Sequence, residues 1–368
     1  MRIESVVVHR AALPLVRPFR TSFMVEHHKD VVLVELTTDA GVTGWGECVA
    51  MTAPLYSHEY NDGAIEVMRE FLLPRLLGVD LELEDVPALL APVRGHPMAK
   101  GALELAVTDA VLRTRGESFA SYLGSVRDQV DCGVSVGIPA DDSIDTLVTE
   151  VDGYVAEGYQ RIKLKIQPGW DVMPTRVIRE RYPDIPLQVD ANQAYGRADI
   201  DHLAALDEFG LLLIEQPLHE DDVLGHKLMA ERMETPMCLD ESVLSAENAE
   251  FLIDYGACEV VNIKAGRVGG YLSAKAIHDL ALGRGIPVWC GGMVETGIGR
   301  AANIALASLP GFTLPGDTSG SDRFFTRDVT EPFVLVDGRI DVPTGPGLGV
   351  EPLPEVLEEL TVARHVLA

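Results

Sequence analysis

Five residues in the middle of the chain have the types and the spacing to move a proton on a carbon acid. They are Lys165 in K-L-K-I, Asp190 in L-Q-V-D-A-N, Glu215 in L-L-L-I-E-Q-P, Asp240 in C-L-D-E-S and Lys264 in V-N-I-K-A-G. The intervals between them are 25, 25, 25 and 24 residues. Each closes an apolar run of the kind a buried strand makes, where a charge is out of place. One strand-and-helix unit of a parallel barrel takes about 25 to 30 residues. The spacing therefore predicts all five at the same height on successive strands. Function in such barrels is built at the C-terminal strand ends, so the five are expected to share one pocket.

Three neighbouring carboxylates at the rim of an apolar barrel repel one another and lose hydration. That costs several kcal/mol or raises their pKa values unless a cation lies between them. Hard oxygen donors, with room left for water and substrate oxygens, suit Mg²⁺ or Mn²⁺ rather than zinc. Lys165 precedes the triad and Lys264 follows it, so the two amines are expected to face each other across a substrate. Lys163 is two residues before Lys165 and points to the same face. Adjacent ammonium groups near a dication are expected to lower the lysine pKa toward working pH, as a lysine base requires. A proton next to a carboxylate becomes removable when a divalent cation holds the enediolate. A lone K-x-K or D-E pair means little, because most such charges are solvated surface. Ion pairs at barrel ends can also be structural. The ordered set Lys, Asp, Glu, Asp, Lys at one-unit spacing favours chemistry.

The elements that must position these residues follow from length and pattern. With 368 residues and 47% hydrophobic composition the chain is long enough for two domains and a large core. From about Gly133, apolar runs alternate with helical stretches opening near Asp142, Asp171, Ala198, Asp221, Ser245, Tyr271 and Thr296. The runs are Gly133–Ile138, Arg161–Ile166, Leu187–Ala191, Leu211–Glu215, Met237–Asp240, Val260–Lys264, Pro287–Cys290 and Phe312–Leu314. Eight such strands close a (β/α)8-type, modified TIM barrel of the α/β class. Residues 1–128 read as an α+β capping domain, 129–332 as the barrel, and 333–368 as a tail that packs back on the cap. In the cap, residues 2–10 and 31–38 alternate as strands. Helical patterns run from about Asn61 to Leu77 and from Ala99 to Arg115, the latter with Leu103, Ala106, Val107 and Ala110 on one face. The stretch Phe19 to Lys29 has no clear period and reads as a mobile loop or a plain surface connection.

The charge of −27 and pI near 4.6 argue against nucleic-acid or anionic-membrane partners. The N-terminus lacks the pattern of a signal peptide, and no run of 18 apolar residues is present to span a membrane. Cys48, Cys132, Cys238, Cys258 and Cys290 are scattered and have no C-x-x-C pair, which reads as reduced cysteines of a cytoplasmic protein. The histidines show no metal spacing, and Trp45, Trp170 and Trp289 read as packing residues.

Taken together, K-L-K, V-D-A-N, I-E-Q-P, L-D-E-S and N-I-K resemble the enolase superfamily in its muconate-lactonizing subgroup. V-S-V-G-I around Ser135, V-N-I-K-A-G-R-V-G-G, G-G-M-V-E-T-G and L-P-G-D-T-S-G-S-D-R-F are similar to the N-acylamino acid (N-succinylamino acid) racemase and o-succinylbenzoate synthase family. The likeness reaches M-A-K-G-A-L-E-L-A from Met98 in the cap. It implies Asp190, Glu215 and Asp240 as ligands of Mg²⁺, with Mn²⁺ or Co²⁺ as substitutes. It implies Lys165 and Lys264 as the acid/base pair, with Lys163 a supporting charge; a lysine base with Mg²⁺ is general to that superfamily. The implied reaction is racemisation of N-acylated amino acids, by two-base 1,1-proton transfer through a metal-stabilised enediolate. Dehydration to o-succinylbenzoate, a step of menaquinone synthesis, is the alternative in the same site. The seventh strand lacks the histidine of mandelate-racemase relatives, and Gly316-Asp317-Thr318 does not match the D-x-D of dipeptide epimerases. Ser135, Asn192, Gly292 and Met293 fall at family positions near the substrate. Arg267 matches an arginine of the racemase branch, with a structural ion pair as the competing reading. Phe19, Phe23 and Met51 are placed to close over the acyl group, or to serve as core. The implied partner is a small carboxylate, and relatives form homo-oligomers, often octamers.

Overall fold

A computed structural model describes residues 1–368. The alternating N-terminal pattern forms β1 (Ile3–Arg20) and β2 (Val25–Thr38), and β3 (Thr43–Cys48) returns from the turn at Gly41. The C-terminal strand Thr361–Val366 adds antiparallel to the free edge of β1, giving a four-stranded sheet. The stretch read as a mobile loop is the end of a long hairpin. β1 and β2 pair out to Arg20 and Val25, leaving Thr21 to Met24 as its tip. The register shifts between Pro14 and Phe19, and beyond it the hairpin leaves the sheet to meet the barrel. There Ile138 N–H donates to the Arg20 carbonyl at 3.1 Å. A segment that packs on another domain instead of a sheet core has no reason to keep a period of two.

The helix Pro97–Arg115 is buried on nearly every side rather than on the one expected face. A Cβ on Gly44 or Gly46 of β3 would lie 2.2 Å from the Ala106 carbonyl oxygen or 2.1 Å from that of Ala102. The helix backbone therefore rests directly on β3. Its other side meets the barrel at Gly101 and Gly270. The second expected helix is interrupted: Asn61–Val67 is α, Met68–Leu72 is π-wound and Leu73–Leu76 is α again.

The barrel follows β4 (Gln129–Asp131). It consists of β5 (Gly133–Val136), β6 (Arg161–Lys165), β7 (Leu187–Asp190), β8 (Ile214–Glu215), β9 (Met237–Leu239), β10 (Val260–Ile263) and β11 (Val288–Cys290). These seven strands are parallel and adjacent in chain order, and every residue in them is buried. The expected eighth strand at Phe312–Leu314 is not a regular strand. The chain there makes only single bridges, Phe312 to Val288 and Gly316 to Cys132, and these close the ring between β11 and β5. Pro310 and Pro315, on either side of the segment, lack the N–H a ladder needs. Ser143, Asp171, Asp222, Ser245 and Thr296 cap the helices that follow their strands. In the tail, β12 (Arg339–Asp341) pairs antiparallel with β4. All five cysteines are free and buried, and no helix is long and apolar enough to cross a membrane.

Candidate active site

Strand register brings the five charged residues to one end of the barrel. Lys165 pairs with Asp190 and Asp190 with Glu215, so these three stand level. Glu215 pairs with Cys238 and Cys238 with Val260, which puts Asp240 two residues above that level and Lys264 four. The expected common height is thus right for three residues and corrected for two. Barrel strands tilt, and the tilt appears as a stagger. Because the stagger is even, the period-two alternation keeps all five side chains on the inner face.

Each carboxylate is buried and held by cations of the chain. Lys165 Nζ donates to Asp190 Oδ2 at 2.5 Å, and Lys163 Nζ to Glu215 Oε2 at 3.1 Å. Asn262 Nδ2 donates to the other oxygen of Glu215 at 2.7 Å. Lys264 Nζ donates to Asp240 Oδ2 at 2.8 Å, and Arg267 pairs with Asp240 Oδ1. No group of three His, Cys, Asp or Glu side chains closes around a single point, because the acids lean toward these partners. The donor set still fits Mg²⁺: hard oxygens on three adjacent strand ends, with a fourth buried carboxylate, Glu241, whose Oε2 has no partner.

Burial and the neighbouring charges shift the carboxylates. Burial would raise Asp190, but Lys165 and Lys163 outweigh it and hold the group well below the usual carboxylate range. Glu215 is raised, by burial and by Asp190 beside it. Among the chain's own charges, Lys163 and Lys264 are pulled both ways. Burial pulls both down. Asp317 and Glu215 around Lys163, and Tyr56 and Glu241 around Lys264, outweigh it and hold both ammonium groups above their usual range.

Asp317 was legible only as a failed D-x-D, yet it is the main counter-charge of the barrel interior. It accepts from Lys163 Nζ at 2.7 Å and from Arg161 Nη2 at 2.9 Å. Trp289, read as packing, also lies 4.6 Å from Lys163 Nζ by its ring centroid. Two inward lysines on one short strand call for an inward acid nearby, and that was the available signal.

Two cavities meet this centre. The inner one, about 50 Å³, is lined by Lys163, Lys165 and Lys264 together with Ser135, Gly292, Asp317 and Phe19. The outer one, about 410 Å³, lies between cap and barrel, and Phe23, Tyr56, Asn192 and Glu241 are among its walls. Ser135 Oγ is buried without a partner. Met293 N–H is already taken by Glu295 Oε2 at 2.9 Å, so it is not free for a ligand here. Met51 is half-buried, packs against the core and lines neither cavity. Arg267 is an ion-pair partner of Asp240 that also donates to the carbonyls of Val243 and Asn262, each at 2.9 Å.

The cap reaches the centre through Tyr56, which sequence reasoning missed. Its hydroxyl donates to Asp240 Oδ1 at 3.2 Å and accepts from Lys264 Nζ at 3.3 Å. Two cap carboxylates also seat on barrel helices. Glu47 accepts from the backbone N–H of Thr296 at 3.0 Å and of Gly299 at 2.9 Å, at the start of Gly297–Ala307. Glu104 accepts from Leu272 N–H at 3.0 Å at the start of Tyr271–Arg284. A carboxylate at a helix N-terminus meets free N–H groups and the positive end of the dipole. Both join the cap to the barrel at helix starts.

Comparison with known proteins agrees with this architecture. Residues 2–124 match the mandelate racemase / muconate lactonizing enzyme N-terminal domain, and residues 146–356 match the enolase C-terminal domain-like family. The chain is 60% identical over 366 residues to an N-succinylamino acid racemase of an Amycolatopsis species, covering 99% of each chain. It is 45% identical over 353 residues to an o-succinylbenzoate synthase of Geobacillus kaustophilus, covering 95% of this chain and 94% of that one. An enolase-superfamily structure from Listeria innocua superposes over 100% of both chains with a TM-score of 0.95 at 38% identity.

Proposed function

The chain is an enzyme of the mandelate racemase / muconate lactonizing enzyme family within the enolase superfamily, and from that premise we propose that it racemises N-acylated, in particular N-succinylated, amino acids. One observation carries the reading: Lys165 and Lys264 come from strands on either side of the carboxylate triad and line the same inner cavity. Two amines with access to one small space suit a reaction that removes a proton from one face and returns it to the other.

Asp190, Glu215 and Asp240 would hold Mg²⁺, with Mn²⁺ or Co²⁺ as substitutes; bound there, the ion supplies positive charge for the substrate carboxylate. One lysine, as the free amine, takes the α-proton, and the other, as the ammonium, delivers a proton to the opposite face. The roles exchange with the enantiomer. Each group is expected to contribute ~10²–10⁴-fold. Lys163, fixed by Asp317, stays cationic as a supporting charge. Ser135, Gly292 and Phe19 of the inner cavity and Asn192 and Phe23 of the outer one remain the proposed surroundings of the substrate, while Arg267, Met293 and Met51, also expected there, line neither cavity. The proposed boundaries are 1–128 for the cap, 129–332 for the barrel and 333–368 for the tail, in a cytoplasmic homo-oligomer.

The second reading is dehydration to o-succinylbenzoate, supported by the 45% identity to a synthase. There one lysine is the base and the other remains a cation, so one site can serve both reactions. Separate incubations with an N-succinyl-L-amino acid and with the hydroxylated cyclohexene carboxylate precursor, each with Mg²⁺, distinguish the readings. Appearance of the D-enantiomer on chiral chromatography supports racemisation. Turnover of the second substrate alone would refute it.

A further inference from the structure

The two lysines are held by different parts of the molecule. Lys264 meets Asp240 and the cap residue Tyr56, whose ring centroid lies 4.7 Å from its Nζ. Lys165 meets Asp190 and, at 2.7 Å, Asn192 Oδ1. Asn192 Nδ2 in turn donates to Glu241 Oε1 at 3.2 Å. Asn192, expected at the substrate, therefore has its side-chain oxygen and one N–H committed within the protein.

We infer that Asn192, oriented by Glu241, is a positioning residue for Lys165 and not for Lys264. The inference rests on the two-base reading above. Its physical basis is what becomes of Lys165 when Asp190 serves a cation. Asp190 Oδ2 is then shared or lost as a partner, and the amide oxygen of Asn192 is what remains to aim the amine. That oxygen must face the lysine, since a flipped amide would set N–H groups against an ammonium. Glu241 accepts from the amide nitrogen and so fixes the orientation.

The backbone supports the same role. Asn192 sits at φ +42°, a left-handed conformation that asparagine tolerates better than most residues. Its N–H donates to Asp190 Oδ1 at 3.0 Å. Its carbonyl, with that of Ala191, accepts from Ser22 Oγ in the cap hairpin, at 3.4 and 3.1 Å. The turn is thus fixed from both domains and presents one amide to one lysine.

Glu241 is also close enough in charge to act on Lys264, so the discriminating change is at Asn192. Asn192→Gly removes the amide while keeping a residue that accepts positive φ. The measurement is α-proton exchange in heavy water of the L and D forms of one N-succinyl amino acid, followed by NMR at saturating Mg²⁺. Calorimetric Mg²⁺ affinity serves as the second readout. Exchange of the enantiomer that Lys165 attacks is expected to fall roughly 10²-fold, the scale of a misplaced reacting group. The other enantiomer should keep near wild-type exchange. Equal losses for both, or no loss for either, would overturn the inference and leave the function standing. A wild-type enzyme that exchanges neither enantiomer would instead remove the two-base reading itself. Should Asn192→Gly not fold, Glu241→Ala against Glu241→Gln repeats the test. Glutamine keeps an acceptor for Asn192 Nδ2, so it should show the smaller asymmetry, and equal asymmetry in the two would count against the inference.

Discussion

Lys163 and Asp317 form a 2.7 Å ion pair inside the barrel, and Asp317 also holds the fully buried Arg161. Breaking a buried pair from one side leaves a charge without compensation and costs about 3–5 kcal/mol. Asp317→Ala is therefore expected to lower the unfolding free energy by about that much in denaturant titration. A change near zero would mean that Glu215 and Asp190 suffice for Lys163.

Gly291 is a contact point between two strand ends. A Cβ there would lie 2.2 Å from Asn262 Oδ1 and 2.8 Å from Lys264 Cγ. Asn262 holds Glu215, so the methyl group presses together on the support of a proposed metal ligand and on a proposed base. Gly291→Ala is expected to fold and to lose roughly 10²-fold in kcat, as displacement of a reacting group by about an ångström predicts. Steady-state kinetics with circular dichroism checks both halves.

Stability should depend on pH through Glu104. Burial raises this carboxyl from the ordinary 4.5 to about 7, against the hydrogen bonds it accepts from Leu272 and Tyr271. A folded-state value above the unfolded one means the folded protein binds the extra proton. The contribution is full below the unfolded pKa and is lost as pH rises through about 7. The fall in stability between pH 5 and pH 8 should accordingly be smaller in Glu104→Gln than in the wild type. Denaturation midpoints at the two pH values test this, and an equal fall contradicts it.

Much of the site could be read from the chain because one repeat length governs it. A barrel unit of nearly constant length turns sequence spacing into spatial adjacency, so Lys165, Asp190, Glu215, Asp240 and Lys264 could be found without coordinates. What the spacing could not give was the tilt, which raises Asp240 and Lys264 above the other three. It also could not give partners brought in from outside the repeat. Tyr56 arrives from the cap, on a loop without periodicity. Asp317 follows the eighth segment, which reads as a strand in sequence but makes only single bridges, so it lies outside the strand-end spacing. The hairpin tip near Phe19 and the all-round burial of Pro97–Arg115 share one cause. Both pack between domains, where neither a period of two nor one of 3.6 describes what is buried.

Metal dependence has a readout that does not need turnover. An ion held by the folded protein alone raises the thermal midpoint by mass action. Mg²⁺ is expected to raise the wild-type midpoint and to restore activity after chelation. Asp190→Ala should show no such shift. An undiminished Mg²⁺ shift in that variant would place the ion elsewhere.

The assignment of two opposed lysine bases is tested most directly by heavy-water exchange in Lys165→Ala and Lys264→Ala. Both variants should lose racemisation of an N-succinyl amino acid by ~10²–10⁴-fold or more. Each should still exchange the α-proton of one enantiomer, and the enantiomer should differ between them. Robust racemisation by either variant, or retention of the same enantiomer's exchange in both, would contradict a site with one base on each face.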